Sequence, residues 1–409
     1  MLIRRSNLFR PLLSILAALL VVGLALSIGG CADSTQQIGV VLPLTGDAAP
    51  YGVAIRKGVE LAFDKLQAAG DYPHPLALSV VDSESQAATA ATLLETQYQE
   101  GALVVIGGAT SSEAQAMIEI ADRFGRLLLS PSASAPELTG VSSNFYRVFP
   151  SDFREGSRMA NFATQTLGLQ KMVIIAEQQD YARGIQSVFT TEFERYGGSV
   201  IEVVEYPPNT AELSGLVERA VTLEPQGIYL AGYAEGIGRM IKQLRLDGYQ
   251  GKILTTSAFA APIGIETAGD AAADAYLTQT VFEVDSEYAH IQSFVNAYKE
   301  KYGEEPDLFA AHGYDTMMVL AEALRDKKPL PSELLKGMRG LSDHPGVTGS
   351  ISFDERGDVQ KYPRVYLIND DLILLNYDVF AKKMEEERRR KQEELQRKMQ
   401  ELRDAMAGG

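Results

Sequence analysis

Cysteine is almost missing from this chain of 409 residues. Cys31 is the one thiol, so no disulfide can close within the chain. Histidine is sparse as well. His74, His290, His312 and His344 are scattered without the spacing of metal ligands, and no metal site is expected. The signatures of catalysis are absent. There is no G-x-S-x-G elbow, no P-loop, no dinucleotide-binding G-x-G-x-x-G and no H-E-x-x-H. Asp82 and Glu84 follow an apolar run and resemble a carboxylate pair, but capping of the next helix explains them more simply. Neither enzymatic activity nor a cofactor is expected. Positive charge is short: 38 Lys and Arg face 54 Asp and Glu, for a formal net charge of −16. Nucleic acid and anionic membrane surfaces are therefore poor partners for the body of the protein.

What is present is ordinary globular material, 45% hydrophobic and 22% charged, long enough for two or three domains. The N-terminus stands apart. Arg4, Arg5 and Arg10 precede an apolar run over 12–28, the layout of a secretory leader. Ile28-Gly29-Gly30-Cys31 then resembles a bacterial lipobox, in which small residues admit a peptidase and the thiol accepts lipid. Residues 1–30 read as a lipoprotein signal peptide, Cys31 as the lipidation site, and 31–36 as a linker. Several acyl chains on Cys31 would hold the protein to a membrane outside the cytoplasm. Ala32 and Asp33 leave the choice between inner and outer membrane open.

From residue 37 strands and helices alternate. Strands are expected at 38–42, 76–81, 104–106, 127–129, 171–176, 199–206, 227–231 and 252–255. Helices are expected at 53–68, 87–100, 112–124, 184–196, 212–223 and 235–246. This pattern argues for an α/β fold of parallel sheets flanked by helices. There are too many strands for one comfortable sheet, so two lobes are expected. Breaks near 145–151, 276–283 and 349–357 suggest three passes between them. The strands at 104–106 and 127–129 each end in a hydroxyl-rich turn, Ala109-Thr110-Ser111-Ser112 and Ser130-Pro131-Ser132-Ala133-Ser134. Ligands bind beyond the carboxyl ends of parallel strands, and a helix N-terminus favours an anion. Two adjacent clusters of this kind suggest a carboxylate pocket. The tail, 379–409, is a charged helix with acids four residues ahead of bases. Leu395, Met399, Leu402 and Met406 recur along it, which fits either a solvated helix or one that dimerises or docks a partner.

Several motifs carry a resemblance: PLTGDAAPYG (43–52), VIGG with Ser111-Ser112, SPSASAPELT (130–139), QQDY (178–181), YLAGYAEGIGRM (229–240), AGDAA (268–272) and FDERGD (353–358). Their order over 38–377 resembles the type I periplasmic solute-binding proteins, in the branched-chain amino-acid (Leu/Ile/Val) branch that serves ABC transporters. The resemblance implies a two-lobe clamshell with three hinge crossovers. The N-terminal lobe would hold 37–149 and 281–352, and the C-terminal lobe 150–280 and 353–378. It also implies the ligand contacts. Ser111 and Ser134 would offer hydroxyls to a ligand carboxylate and Ser132 its backbone. Tyr51 would cover the ligand from one lobe, with Tyr181 and Tyr233 closing from the other. An ABC permease would be the partner. One position departs: relatives place an acid for the ligand ammonium where this chain has Ser257. Either another acid, such as Glu235 or Asp180, takes that role, or the ligand lacks a free α-amino group. A regulatory or scaffold lipoprotein on the same fold is the alternative function.

Overall fold

The computed structural model of the protein describes residues 35–70 and 75–407. The leader, Cys31 and His74 lie outside this range, as do the side chains of Leu402 and Met406. No helix among the described residues is long and apolar enough to cross a membrane.

The first sheet holds β1 (Gln36–Leu42), β2 (Leu76–Asp82), β3 (Val104–Gly107), β4 (Leu127–Ser130) and β5 (Phe145–Arg147). Its order is β2-β1-β3-β4-β5 and every pairing is parallel. β3 and β4 are buried along their whole length, which explains their unbroken apolar runs. Helices α1 (Ala49–Ala69), α2 (Ala87–Gln99) and α3 (Ser111–Phe124) connect the strands. Thr110 caps α3 by accepting the Glu113 N–H while the Glu113 carboxylate accepts the Thr110 N–H, a complete capping box.

The chain then passes to a second sheet through α4 (Asp152–Asn161). That sheet contains β6 (Lys171–Glu177), β7 (Ser199–Tyr206), β8 (Gly227–Ala231), β9 (Lys252–Thr255) and β10 (Ala275–Gln279). Helices α5 (Asp180–Arg195), α6 (Ser214–Thr222), α7 (Ala234–Leu246) and α8 (Pro262–Ala268) link them. After β10 the chain returns to the first lobe as α9 (Ala289–Tyr302), α10 (Leu308–Leu324) and α11 (Pro331–Gly340). α10 crosses α1 almost backbone to backbone. A Cβ on Gly58 would lie 1.9 Å from the Ala310 carbonyl oxygen. Buried His312 donates or accepts at the Thr280 hydroxyl, 2.8 Å away, where this second crossover leaves β10.

The short hairpin β11 (His344–Gly346) and β12 (Gly349–Ile351) precedes the third crossover. The stretch 353–361, expected in the second lobe, lies along the first. The Arg147 N–H donates to the Gly357 carbonyl (3.1 Å), and residues 147 and 358 form a parallel bridge. Gly357 takes a φ of 84°, and a Cβ there would meet the Phe145 carbonyl at 2.3 Å, so only glycine fits this turn. Only then does the chain enter the second sheet as β13 (Arg364–Ile368) and β14 (Leu374–Asn376). The order is β14-β13-β10-β9-β8-β6-β7. A wholly parallel second sheet was expected, but β13 and β14 pair antiparallel. Strand β13 enters directly from the crossover without a helix to reverse it, and β14 follows by a tight turn. α12 (Tyr377–Ala407) completes the described chain.

Arg147 is fully buried. It meets Asp358 through Nε (2.7 Å) and Nη2 (3.0 Å), and also donates to Thr139 and the Ala135 carbonyl. Removing one partner of a buried pair leaves an uncompensated charge and costs about 3–5 kcal/mol. Asp358→Ala should lower unfolding stability by that amount in chemical denaturation. A loss below about 1 kcal/mol would show that Arg147 reaches another counter-charge or water.

Candidate functional site

The carboxyl ends of β3 and β4 open toward the second lobe, and the two hydroxyl-rich turns face it. Ser111 occupies the first helical position of α3, where backbone N–H groups have no partner within the helix. Its hydroxyl accepts the N–H groups of Ser134 (3.4 Å) and Ala135 (3.2 Å). The Ser132 hydroxyl donates to the Ala109 carbonyl at 2.6 Å, and Ser130 donates to that of Gly108 at 2.8 Å. The turns are therefore stitched together by their own serines. Ser132 thus has its hydroxyl proton engaged within the turn.

Between the lobes lies a small cavity, with about 40 Å³ open to the centre of a water-sized sphere. All six expected residues line it: Tyr51, Ser111, Ser132, Ser134, Tyr181 and Tyr233. The lining also includes Thr110, Phe149, Ser257, Ala258 and Phe309, which the sequence did not single out as contacts. No charged side chain is among the lining residues. Phe309 packs edge-on against Tyr51 at 4.7 Å between centroids and stacks parallel to Phe149 at 6.2 Å. Phe149 precedes the proline of the first crossover and Phe309 opens α10 after the second. A place beside a crossover was the one available signal for either.

Tyr51 does more than cover the cavity. It is the first-lobe partner in a contact across the cleft. Its hydroxyl accepts the N–H of Ala234 at the start of α7 (2.7 Å) and donates to the Ala258 carbonyl (3.3 Å). Its ring packs edge-on against Tyr233 at 5.4 Å. Burial pushes the phenol well above its usual range, so it stays protonated and can donate. A second polar contact crosses the cleft where the Asn209 amide donates to Asp47 at 2.9 Å. The lobes are closed on each other.

Ser257 begins a 3₁₀ turn after β9 and gives both of its donors away from the cavity. Its N–H (2.7 Å) and hydroxyl (2.8 Å) go to the Glu155 carboxylate, which also accepts the Thr278 hydroxyl (2.9 Å). Burial raises Glu155 to about 7, against the pull of these bonds. Burial, and then the adjacent Glu155, push Asp152 well up too. The two acids proposed for an ammonium lie elsewhere. Asp180 is exposed and pairs with Arg183 at 3.5 Å, and Glu235 is exposed beside Asp47 and Glu177 in a separate surface pocket. Glu155 was invisible in sequence because an acid in the first turns of a helix reads as a dipole partner. Among the described residues no group of three His, Cys, Asp or Glu is placed to hold a metal ion.

The two-lobe α/β architecture that frames this cavity is shared with known proteins. The family model for periplasmic binding proteins matches residues 35–369. The chain belongs to this family. A curated relative, the leucine-, isoleucine-, valine-, threonine- and alanine-binding protein of Pseudomonas aeruginosa, is 23% identical over 349 residues, 85% of this chain and 92% of the relative. Among solved structures, a leucine-binding protein from Thermotoga maritima superposes with a TM-score of 0.78 at 28% identity, covering 83% of this chain and 98% of that one. A branched-chain amino-acid transporter substrate-binding protein from Streptococcus pneumoniae, solved with isoleucine, gives 0.78 at 26% identity with the same coverages. Members of this family are binding proteins of importers, and the family's place is outside the cytoplasm.

Tyr51→Phe keeps the ring and removes both hydrogen bonds across the cleft. At about 0.5–1.5 kcal/mol for each neutral bond, closure should weaken by about 1–3 kcal/mol. Small-angle scattering without ligand should show a larger radius of gyration for this variant than for the parent. An unchanged radius would mean that the phenol does not hold the cleft shut.

Proposed function

We propose that the protein is an extracytoplasmic solute-binding lipoprotein. It captures a small carboxylate-bearing ligand, an amino acid or analogue, between its lobes and delivers it to an ABC permease. The observation that carries this reading is the neutral cavity at the first turn of α3, lined by the Ser111 and Ser134 hydroxyls. A carboxylate bound there needs no cationic side chain. Helix N–H groups and hydroxyls supply charge-assisted hydrogen bonds of about 1.5–3 kcal/mol each. Aromatic walls from both lobes offer rigid apolar area to the rest of the ligand. Amino-acid binding by the relatives supports this ligand class. Closure around the ligand then presents a joint surface of both lobes to the permease, with no bond made or broken. The leader and Cys31 supply the anchor. The reading makes the protein a carrier and not an enzyme.

A second role is supported by α12. The helix runs 31 residues, and Leu395 and Met399 stand exposed on it. Docking or dimerisation through this helix would add a regulatory contact to capture. Sedimentation of the protein with and without residues 379–409 tests it, and the same number of subunits in both would exclude self-association through this helix.

A thermal-shift panel of amino acids, short carboxylic acids and amides tests the main reading. Ligand at 100 times its Kd should stabilise the protein by about 2.7 kcal/mol, read as a rise in Tm. Ser134→Ala should weaken a carboxylate ligand by roughly 10–100-fold, the equivalent of one charge-assisted bond. A panel in which nothing moves Tm would sink the capture role.

A further inference from the structure

A second pocket opens at the edge of the closed cleft, separate from the cavity, and Tyr233 lines both. It has about 60 Å³ open to the centre of a water-sized sphere, room for more than one water. Its walls come from both lobes. Asp47 stands on the loop before α1, Glu177 ends β6, Tyr206 ends β7, and Glu235, Gly236 and Arg239 lie on α7.

Tyr206 supplies the observation that points to a ligand. Its side chain is 4% exposed, yet its hydroxyl has no hydrogen-bond partner among the described residues. Buried hydroxyls are normally satisfied. The Glu177 carboxylate is buried as well and only half used. One oxygen, Oε2, accepts the Tyr233 N–H (3.0 Å) and the Gln179 amide, and Oε1 accepts nothing among the described residues. The two open atoms converge on one spot. A Cβ on Gly236 would stand 3.3 Å from the Tyr206 hydroxyl and 3.4 Å from Glu177 Oε1, so the glycine leaves that space free.

Charge says what belongs there. Asp47, Glu177 and Glu235 face a single cation among the lining residues, Arg239. Its Nη2 is held by the carbonyls of Thr210 (2.8 Å) and Ala211 (2.7 Å). Closure sharpens the imbalance. It carries Asp47 across the cleft to the Asn209 amide at 2.9 Å. Burial, and with it the nearby Asp47 charge, pushes the Glu177 carboxyl up. Like charges brought together across a closing cleft oppose closure, and a cation seated between them reverses the sign. An anion would be repelled. A bare metal ion does not fit, since among the described residues no three acids are placed to hold one. The open oxygens of Tyr206 and Glu177 call for a cation that carries hydrogen-bond donors.

We propose that this pocket is a second binding site, for a small organic cation with N–H donors, an alkylammonium or alkylguanidinium. It donates to the Tyr206 hydroxyl and to Glu177 Oε1, with Asp47 and Glu235 beside it. Because Asp47 belongs to the opposite lobe, the bound cation favours the closed state. The site does not depend on which ligand the cavity captures.

The test uses ethylammonium chloride on the purified full-length protein in detergent. Tetramethylammonium chloride at the same concentration is the control, with equal charge and no donors. Ethylammonium should raise Tm in a saturable way, and tetramethylammonium should not. Tyr206→Phe removes a hydroxyl that the unliganded protein does not use. Its Tm without ligand should be unchanged, and its affinity for ethylammonium should fall by roughly 2–10-fold. Gly236→Ala fills the free space while favouring the helix, so it should fold at least as well as the parent and lose the shift. Asp47→Asn should weaken ethylammonium by roughly 2–5-fold. Equal shifts from the two salts, or no shift from either, overturn the site. A shift that survives both Y206F and G236A places the cation elsewhere and overturns this pocket. A lowered Tm of unliganded Y206F would show the hydroxyl already satisfied and remove the observation on which the site rests. Unchanged affinity in D47N would overturn the link to closure. None of these outcomes bears on carboxylate capture in the cavity.

Discussion

Arg147 is a full charge held where no water reaches it, and much of the site hangs from how that charge is satisfied. Its guanidinium takes the Asp358 carboxylate, the Thr139 hydroxyl and the Ala135 carbonyl. Asp358 belongs to the chain entering the third crossover. Ala135 belongs to the second serine turn. Val148–Ser151 beyond β5 is the first crossover. One side chain therefore ties two hinge strands and the cavity-lining turn to the edge of the first sheet. A pair this deeply buried is weak evidence for net stability, because desolvation offsets most of its attraction. Its effect is on geometry, since few other arrangements leave the charge paired.

The cavity shows the same economy of charge. Its lining is neutral, and the acids that bear on it lie behind the wall. A carboxylate placed there would meet helix N–H groups and hydroxyls, which bind anions without the desolvation cost of a buried lysine or arginine. Closure depends on an equally modest contact. The Tyr51 hydroxyl satisfies an N–H at the start of α7 that would otherwise face the cleft. Opening the lobes returns that N–H to water, so this bond by itself adds little to the preference for the closed state.

The fold was legible because it is written locally. Apolar runs of four or five residues at β3, β4 and β8, separated by helical periodicity, can form only strands buried on both faces. The six candidate site residues were legible for a related reason: each sits at the end of a strand or the start of a helix, where turn chemistry marks it. The antiparallel entry of β13, the course of 353–361 along β5 and the walls formed by Phe149 and Phe309 were not legible. Each depends on which distant element the segment meets after a crossover, and no local pattern encodes that.

The sequence by itself determined that two α/β lobes form, that they are joined by repeated crossings, and that hydroxyls gather at the carboxyl ends of β3 and β4. Periodicity and turn preference act over a few residues, so they survive without the rest of the structure. Only the tertiary structure decided what stands at the position where an acid was missing. Ser257 looked like a loss of charge. Folding brings α4 behind the turn after β9 and sets the Glu155 carboxylate 2.7–2.8 Å from Ser257, across 102 positions of sequence. Contacts form through space and not along the chain, so only the packed structure could show an acid behind that serine.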